Sequence, residues 1–177
     1  MVVYATHVET RTQAHALLAR ASALEWGLSP LPDMAKTAEG KPFFPNFPQY
    51  QFNLSHSGPH ALCALDSGRV GADIQVIRRD LRENLPRRVC SPEELAWLDG
   101  QHDRWAGFAL LWALKEARGK YDGSGLSAGV RKLSVPLPQE GESLYRHDGL
   151  WFRIYQSEAY MAAVCGENPP CGELIWL

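Results

Sequence analysis

A weak internal repeat constrains the fold of this chain more than any other feature of its sequence. Two similar runs, residues 52–57 and residues 152–157, each precede a short apolar run that is typical of a β-strand. If the repeat is real, it predicts two similar halves, residues 1–69 and 70–177, with a ligand site between them. The alternative is that any two amphipathic stretches of helix and strand look alike.

The hydrophobic periodicity predicts an α+β chain. Apolar residues at helical spacing predict helices over residues 11–26 and about 104–121. The run Ser91-Pro92-Glu93-Glu94 has the cap, the early proline and the N3 glutamate of a helix start. Strand-like runs occur at residues 2–6, twice within 51–66, and at 70–77, 131–135, 150–156 and 159–164. Five prolines and a glycine predict a loop over residues 29–48.

Charge and apolar content exclude several classes of protein. With 18 Lys+Arg against 20 Asp+Glu, the chain lacks the broad basic field that non-specific nucleic-acid binding requires. No apolar run approaches the roughly 18 residues of a membrane span, and the N-terminal residues do not resemble a targeting signal. The four cysteines lack metal-type spacing, and free thiols indicate a reducing compartment. We therefore expect a cytoplasmic protein with no nucleic-acid or membrane partner.

Three clusters carry side chains suited to chemistry, and the first comprises Gly40-Lys41-Pro42 and Phe52-Asn53-Leu54-Ser55-His56-Ser57. A lysine, a hydroxyl and an imidazole near glycine and proline bends can hold phosphate oxygens by charge-assisted hydrogen bonds. Adjacent Ser55 and His56 could also indicate a hydrolase, but neighbours on a strand point to opposite faces. A structural serine and histidine remain the plain alternative.

The second and third clusters suit a cation. Asp73 and Gln75 lie two apart on a predicted strand, so both face the same side, and their oxygens suit Mg²⁺. Glu116 and Lys120 lie four apart on a predicted helix, one turn after Trp112. The glutamate could bind metal and accept a proton, and the lysine could reach a phosphate. A polar sheet face and a structural ion pair are the alternatives.

The order and spacing of these motifs resemble one enzyme family. Gly-Lys-Pro, Phe-Asn-Leu-Ser-His-Ser, Gly-x-Asp-Ile and Trp-x-x-Lys-Glu-x-x-x-Lys follow one another as in the surfactin-synthetase-activating type of 4′-phosphopantetheinyl transferase. The similarity runs from about Arg11 to the end and includes Gly123-Ser124-Gly125-Leu126. It implies a pseudo-dimer of two α+β halves, with coenzyme A in the cleft between them.

The resemblance also implies an activity and a set of site residues. Such enzymes move the phosphopantetheine arm of coenzyme A to a serine of an apo carrier protein and release 3′,5′-ADP. The resemblance implies that this protein is a monomer and that its activity depends on Mg²⁺. The implied metal ligands are Asp73 and Glu116, with Gln75 as a candidate. The implied cofactor-binding residues are Arg11, Thr12, Gly40, Lys41, Pro42, Ser55, His56, Lys115 and Lys120, and the implied catalytic residues are Glu116, Lys120 and His56.

The sequence departs from the family pattern twice. Gln75 stands where the family usually has a second strand acid, so it brings an amide oxygen but no charge. The longer basic segment that usually separates the first strand from the first helix is absent, because Tyr4 and Arg11 are nearly adjacent. We expect Arg11 and Thr12 to supply the remaining contacts to the 3′-phosphate of coenzyme A.

A basic stretch suggests where a carrier protein docks. Five arginines lie within eleven residues that contain only two acids, and because carrier proteins are typically acidic, this stretch is a candidate docking surface: Arg78, Arg79, Arg82, Arg87 and Arg88. A solvated basic loop is the alternative. For the whole chain, the alternatives are a degenerate relative that binds coenzyme A or a carrier without catalysis and, more distantly, a Ser-His hydrolase.

Overall fold

The structure, a computed structural model, describes residues 1–123, 125 and 129–177, and for Arg11 and Thr12 the backbone only. Its helices are α1 (Arg11–Trp26), α2 (Leu85–Val89), α3 (Pro92–Asp99) and α4 (Arg104–Asp122), followed by a 3-10 turn at Val130–Lys132. Its strands are β1 (Val2–His7), β2 (Ala35–Lys36), β3 (Pro42–Phe43), β4 (Gln51–Ser57), β5 (His60–Asp66), β6 (Val70–Val76), β7 (Leu144–His147), β8 (Leu150–Gln156), β9 (Tyr160–Gly166) and β10 (Ile175–Trp176).

Two four-stranded sheets, each packed against one long helix, form the molecule. The first sheet has the order β10-β1-β5-β4 and packs against α1, and the second has the order β6-β9-β8-β7 and packs against α4. The predicted α+β class is confirmed. The end of the chain departs from a simple division at residue 69, because Ile175 pairs in parallel with Tyr4 of the first sheet.

The two sheets meet along β4 and β6. Three β4 side chains accept hydrogen bonds from alternate β6 amides: Asn53 from Ala72 (3.0 Å), Ser55 from Ile74 (3.4 Å) and Ser57 from Val76 (3.1 Å). Alternate residues of a strand share a face, so these side chains form one row. The row satisfies β6 amides that backbone carbonyls would otherwise bond, and it joins the two halves of the chain.

Both long helices, α1 and α4, and the start of α3 lie where the sequence predicts. The Asp103 side chain caps α4 by accepting bonds from the amides of Trp105 and Ala106, both at 3.0 Å. Ser91 and Glu94 form the predicted capping box at the start of α3. Gly123, with φ of 83°, follows α4 in the left-handed conformation that glycine adopts without strain.

Several elements differ from the sequence prediction. The predicted strand at residues 131–135 is wrong: a 3-10 turn stands at Val130–Lys132, and the carbonyls of Val130 and Leu133 bond the Lys115 ammonium rather than a strand. The predicted loop at 29–48 contains the short β2–β3 pair, and α2, β7 and β10 were not predicted. In the part of the chain that the structure describes, no helix is long and apolar enough to cross a membrane.

Candidate active site

A close approach between β6 and α4 builds the floor of the site. A Cβ atom on Gly71 would lie 1.9 Å from the carbonyl oxygen of Ala117 and 2.6 Å from the amide nitrogen of Tyr121. Only glycine permits this contact, because any side chain would overlap the helix backbone. The contact places the α4 residues Glu116 and Lys120 over the middle of β6.

Asp73 of β6 is the centre of a hydrogen-bonded cluster. Its Oδ1 accepts bonds from Lys120 Nζ and Ser55 Oγ, both at 2.6 Å, and its Oδ2 accepts a bond from Gln75 Nε2 at 2.7 Å. The residue is only 2% exposed, so these partners replace the water that an isolated carboxylate would need. The cluster joins β4, β6 and α4, and it therefore lies where the two halves meet.

Lys120 is held at one place by several acceptors. Besides Asp73, its Nζ donates to Ser55 Oγ at 3.0 Å and to the carbonyl of Ala72 at 3.1 Å. About a quarter of the side chain stays exposed. A cation that is fixed in this way but still open to one side can also bind a phosphate oxygen.

Glu116 is half-buried beside this cluster. Burial raises the pKa of its carboxyl group, and the charge of Asp73 raises it further, whereas Lys120 and a hydrogen bond from Trp112 lower it. A carboxylate whose pKa is raised is a stronger base than a solvated glutamate. The position therefore suits a group that accepts a proton during the reaction.

Two cavities flank the cluster, and their walls differ. The first, which we call the lysine cavity, has a volume of about 230 Å³ and is lined by Lys120, Gly123, Leu54 and Gly40-Lys41-Pro42 together with Glu39. Its proline and leucine surfaces suit a flat base, and its lysines suit phosphates. Lys41 donates to the carbonyl of Val70 at 3.0 Å, and burial together with nearby Arg69 lowers its pKa.

The second cavity, which we call the tryptophan cavity, has a volume of about 380 Å³. Its wall is largely apolar and is lined by Leu81, Leu85, Trp105, Phe108 and Trp112. Three polar or charged side chains border it: Gln75, Arg78 and Glu116. Sequence reasoning did not assign these apolar residues a role. The helical spacing of Trp105, Phe108 and Trp112, one face of a helix that continues to Glu116, is the signal that could have found them.

The structure brings some predicted residues together and separates others. Asp73, Gln75, Glu116, Lys120 and Ser55 meet in the cluster, whereas His56 is exposed on β4 and forms no hydrogen bond with these described residues. Since Ser55 and His56 are neighbours on a strand, only one of them can face β6. The Ser55 hydroxyl bonds Asp73 and Lys120, a contact that was not predicted.

The prediction that Lys115 faces the pyrophosphate is corrected. Its side chain is fully buried and forms an ion pair with Glu94 at 2.8 Å, on the side of α4 that packs against α3. Four other positions of the predicted motifs lie outside the described part of the chain: the side chains of Arg11 and Thr12, and residues Ser124 and Leu126.

The oxygen donors of the cluster match the ligand preferences of Mg²⁺. Among the residues described, no group of three or more His, Cys, Asp or Glu side chains forms a metal site. Mg²⁺, however, takes few protein ligands and keeps several waters. Asp73 uses three of its roughly four acceptor positions on protein donors, which leaves one, and Glu116 lies close enough for its pKa to rise. Two neighbouring carboxylates with an amide beside them fit this ion.

Comparison with known proteins agrees with this geometry. The 4′-phosphopantetheinyl transferase superfamily matches residues 69–165. A 4′-phosphopantetheinyl transferase of Bacillus subtilis is 34% identical over 161 residues, 86% of this chain and 71% of that protein. The 4′-phosphopantetheinyl transferase AcpT of Escherichia coli K12 is 42% identical over 159 residues, 86% of this chain and 75% of its own length.

A third relative is covered less completely. The 4′-phosphopantetheinyl transferase Sfp of Bacillus subtilis strain 168 is 34% identical over 140 residues, and the match spans 61% of its length. The relatives and the superfamily match together confirm the family that the four sequence motifs indicate. The chain therefore belongs to the 4′-phosphopantetheinyl transferase superfamily.

Proposed function

We propose that this protein transfers the 4′-phosphopantetheine arm of coenzyme A to a serine of an apo acyl or peptidyl carrier protein, with Mg²⁺ and with release of 3′,5′-ADP. The observation that carries the proposal is the cluster of Asp73, Lys120 and Glu116 between two unlike cavities. The site lies between residues 1–69 and residues 70–177, which we propose as the two halves of a pseudo-dimer.

The two cavities suggest how the substrates lie. The nucleotide of coenzyme A occupies the lysine cavity along Gly40-Lys41-Pro42, so that its pyrophosphate reaches Lys120. The pantetheine arm and the carrier serine approach from the tryptophan cavity, whose edge holds Glu116. This orientation puts the fixed cation on the leaving-group side and the base on the nucleophile side.

The reaction follows from these positions. The serine oxygen forms a bond to the β-phosphorus of coenzyme A, and the bond from that phosphorus to the bridging oxygen breaks. Glu116 accepts the proton of the serine hydroxyl, and 3′,5′-ADP leaves with the electron pair of the broken bond. Lys120, held by Asp73 and Ser55, stabilises the charge that develops on the phosphate oxygens.

Asp73 and Glu116 are the residues that would hold Mg²⁺, with Gln75 beside them. When bound, the ion supplies charge neutralisation on the pyrophosphate. Ser55 contributes by fixing the orientation of the Asp73 carboxylate, since its hydroxyl donates to Oδ1. Gln75 contributes in the same way through Oδ2.

Replacing Gln75 by glutamate is expected to raise the affinity of the site for Mg²⁺. The change replaces an amide that donates to Asp73 with a second negative charge, so the Mg²⁺ concentration at half-maximal rate should fall on the order of tenfold. A Mg²⁺ titration of the transfer rate measures this, with Gln156→Glu, on exposed β8 surface, as the matched control. An unchanged midpoint in Gln75→Glu would argue against any metal role at this position.

The basic stretch borders the tryptophan cavity through Arg78, and the intervening Leu81 and Leu85 line it as well. Arg78 bonds Asp80 and Arg79 pairs with Asp103, whereas exposed Arg82, Arg87 and Arg88 form no ion pair with the part of the protein that the structure describes. These free cations suit an acidic carrier protein. Docking there brings the carrier serine to the cavity edge where Glu116 lies.

Carrier recognition should therefore depend on salt. Raising the ionic strength from about 0.05 M to about 0.5 M should raise the apparent KM for an acidic carrier on the order of tenfold, because screening weakens exposed charges. Steady-state kinetics with Arg88→Glu should reproduce much of this loss at low salt. Arg146→Glu, an exposed arginine on β7, is the matched control and should have little effect. A flat salt response would indicate apolar docking instead.

The activity is tested by following the small products. An apo carrier, coenzyme A and Mg²⁺ are incubated with the protein, and chromatography should show coenzyme A consumed and 3′,5′-ADP formed in equal amounts. Binding of coenzyme A without any 3′,5′-ADP would favour the second candidate, a degenerate relative that binds without catalysis. Retention of Asp73, Glu116 and Lys120 in one cluster favours the enzyme.

A further inference from the structure

A buried ion pair lies directly behind the candidate base. The Lys115 side chain is fully buried, and all three of its ammonium protons have acceptors: Glu94 Oε1 at 2.8 Å, the carbonyl of Val130 at 2.9 Å and the carbonyl of Leu133 at 2.9 Å. The next residue along α4 is Glu116. Lys115 therefore ties the helix that carries the base to two other parts of the chain.

Glu94 has two tasks in this arrangement. Its Oε2 accepts a bond from the amide of Ser91 at 2.7 Å, which closes the capping box of α3, and its Oε1 accepts from Lys115. A second bond, from Arg131 Nε to the carbonyl of Cys90 at 3.1 Å, joins residues 130–133 to the junction of α2 and α3. The start of α3, the middle of α4 and residues 130–133 are thus joined around one buried cation.

Stability alone does not account for this pair. Removing two charges from water is costly, and apolar side chains of similar size often stabilise a protein as well as a buried ion pair does. An apolar residue at position 115 would, however, leave the carbonyls of Val130 and Leu133 without their donor. Unlike apolar packing, the three hydrogen bonds of the Lys115 ammonium are directional. They fix the positions of α3, α4 and residues 130–133 relative to one another.

These three segments also back the tryptophan cavity. Phe108 and Trp112 of α4, which line the cavity, belong to an apolar cluster that also contains Leu98 of α3 and Val130 of residues 130–133. We propose that Lys115 and Glu94 are positioning residues, which fix α4 against α3 and residues 130–133 so that Glu116 keeps its place at the edge of the tryptophan cavity. This inference rests on the proposed transfer function.

The test compares Glu94→Gln with the double variant Lys115→Met/Glu94→Gln. Glutamine also serves at the N3 position of a capping box, so both variants keep the cap of α3, and neither contains an unpaired buried carboxylate. They differ only in the lysine that holds the two carbonyls. Arg104→Gln, which removes the exposed ion pair with Asp99 between the same two helices, is the matched control.

We expect the double variant to fold cooperatively, to bind coenzyme A within about threefold of the Glu94→Gln affinity, and to have a kcat about 10²-fold lower, since a small misplacement of a reacting group has that effect. Hydrogen exchange at amides 113–120 and 130–133 should quicken by about tenfold, with β5 unchanged. Arg104→Gln should match the wild type in all four measurements.

Other outcomes would overturn the inference. A double variant and a Glu94→Gln variant that both keep the wild-type kcat would show that the pair only stabilises the fold, and so would a double variant that is unfolded at the assay temperature. Loss of coenzyme A binding would place the effect in the lysine cavity instead. Failure of the proposed function is a separate result, because the wild type itself would then form no product. The hydrogen-exchange comparison would still test whether Lys115 and Glu94 hold α4 against α3 and residues 130–133.

Discussion

Replacing Glu116 by glutamine is expected to lower kcat by about 10³-fold while the protein keeps its fold, because the amide cannot accept the serine proton. The half-buried carboxylate also neighbours Asp73, so the substitution removes one of the two charges that suit Mg²⁺. Steady-state transfer rates with saturating coenzyme A and carrier measure the loss. A turnover close to that of the wild type would refute the role of Glu116 as base.

Folding of the Glu116→Gln variant is expected to be at least as good as that of the wild type at neutral pH. The pKa of Glu116 is raised in the folded state, chiefly by burial and then by Asp73, so the folded protein favours the protonated form. The contribution of Glu116 to the free energy of unfolding is therefore fully present below the pKa that this carboxyl has in the unfolded chain. It is lost as the pH rises through the higher pKa of the folded protein. Glutamine avoids that loss. Thermal melts at neutral pH should show an equal or higher Tm.

Replacing Gly71 by alanine is expected to be the most damaging change outside the reacting groups. The new methyl would lie 1.9 Å from the Ala117 carbonyl oxygen, which is backbone and cannot rotate away. Moving α4 off β6 to make room should cost about 3 kcal/mol of stability, the upper part of the range for overpacking. It should also withdraw Lys120 from Asp73, so kcat should fall even at temperatures where the variant is folded.

Urea unfolding and transfer kinetics measure the two effects separately. Gly172→Ala is the matched control, because nothing lies within 4 Å of the position that its Cβ would take and its φ is not positive. The control should unfold at the wild-type urea concentration. A Gly71→Ala variant of wild-type stability and activity would contradict the close packing of α4 on β6 that builds the site.

The parts of the fold set by local physics were predictable. The bounds of α4 follow from the Asp103 cap, the apolar spacing and Gly123, and the start of α3 follows from Ser91 and Glu94. The alternation along β6, with Asp73 and Gln75 on one side, follows from the two-residue period of a strand. These features depend on residues close in sequence, so a pattern is sufficient to find them.

The parts set by distant contacts were not predictable. The periodicity of α4 does not say which face meets α3, so Lys115 could be mistaken for a second phosphate lysine, although it pairs with Glu94 twenty-one positions earlier. The same contact takes the carbonyls of Val130 and Leu133 and prevents the strand predicted there. Likewise, the motif at residues 55 and 56 does not say which of Ser55 and His56 faces β6.

The intact mass of an apo carrier protein tests the central claim most directly. After incubation with coenzyme A, Mg²⁺ and the wild-type protein, the carrier should gain the mass of one phosphopantetheine, and a carrier whose acceptor serine is replaced by alanine should gain none. The Glu116→Gln and Lys120→Met proteins should leave the carrier mass unchanged over the same period. A wild-type protein that binds coenzyme A but leaves the mass of acidic apo carriers unchanged would contradict the account.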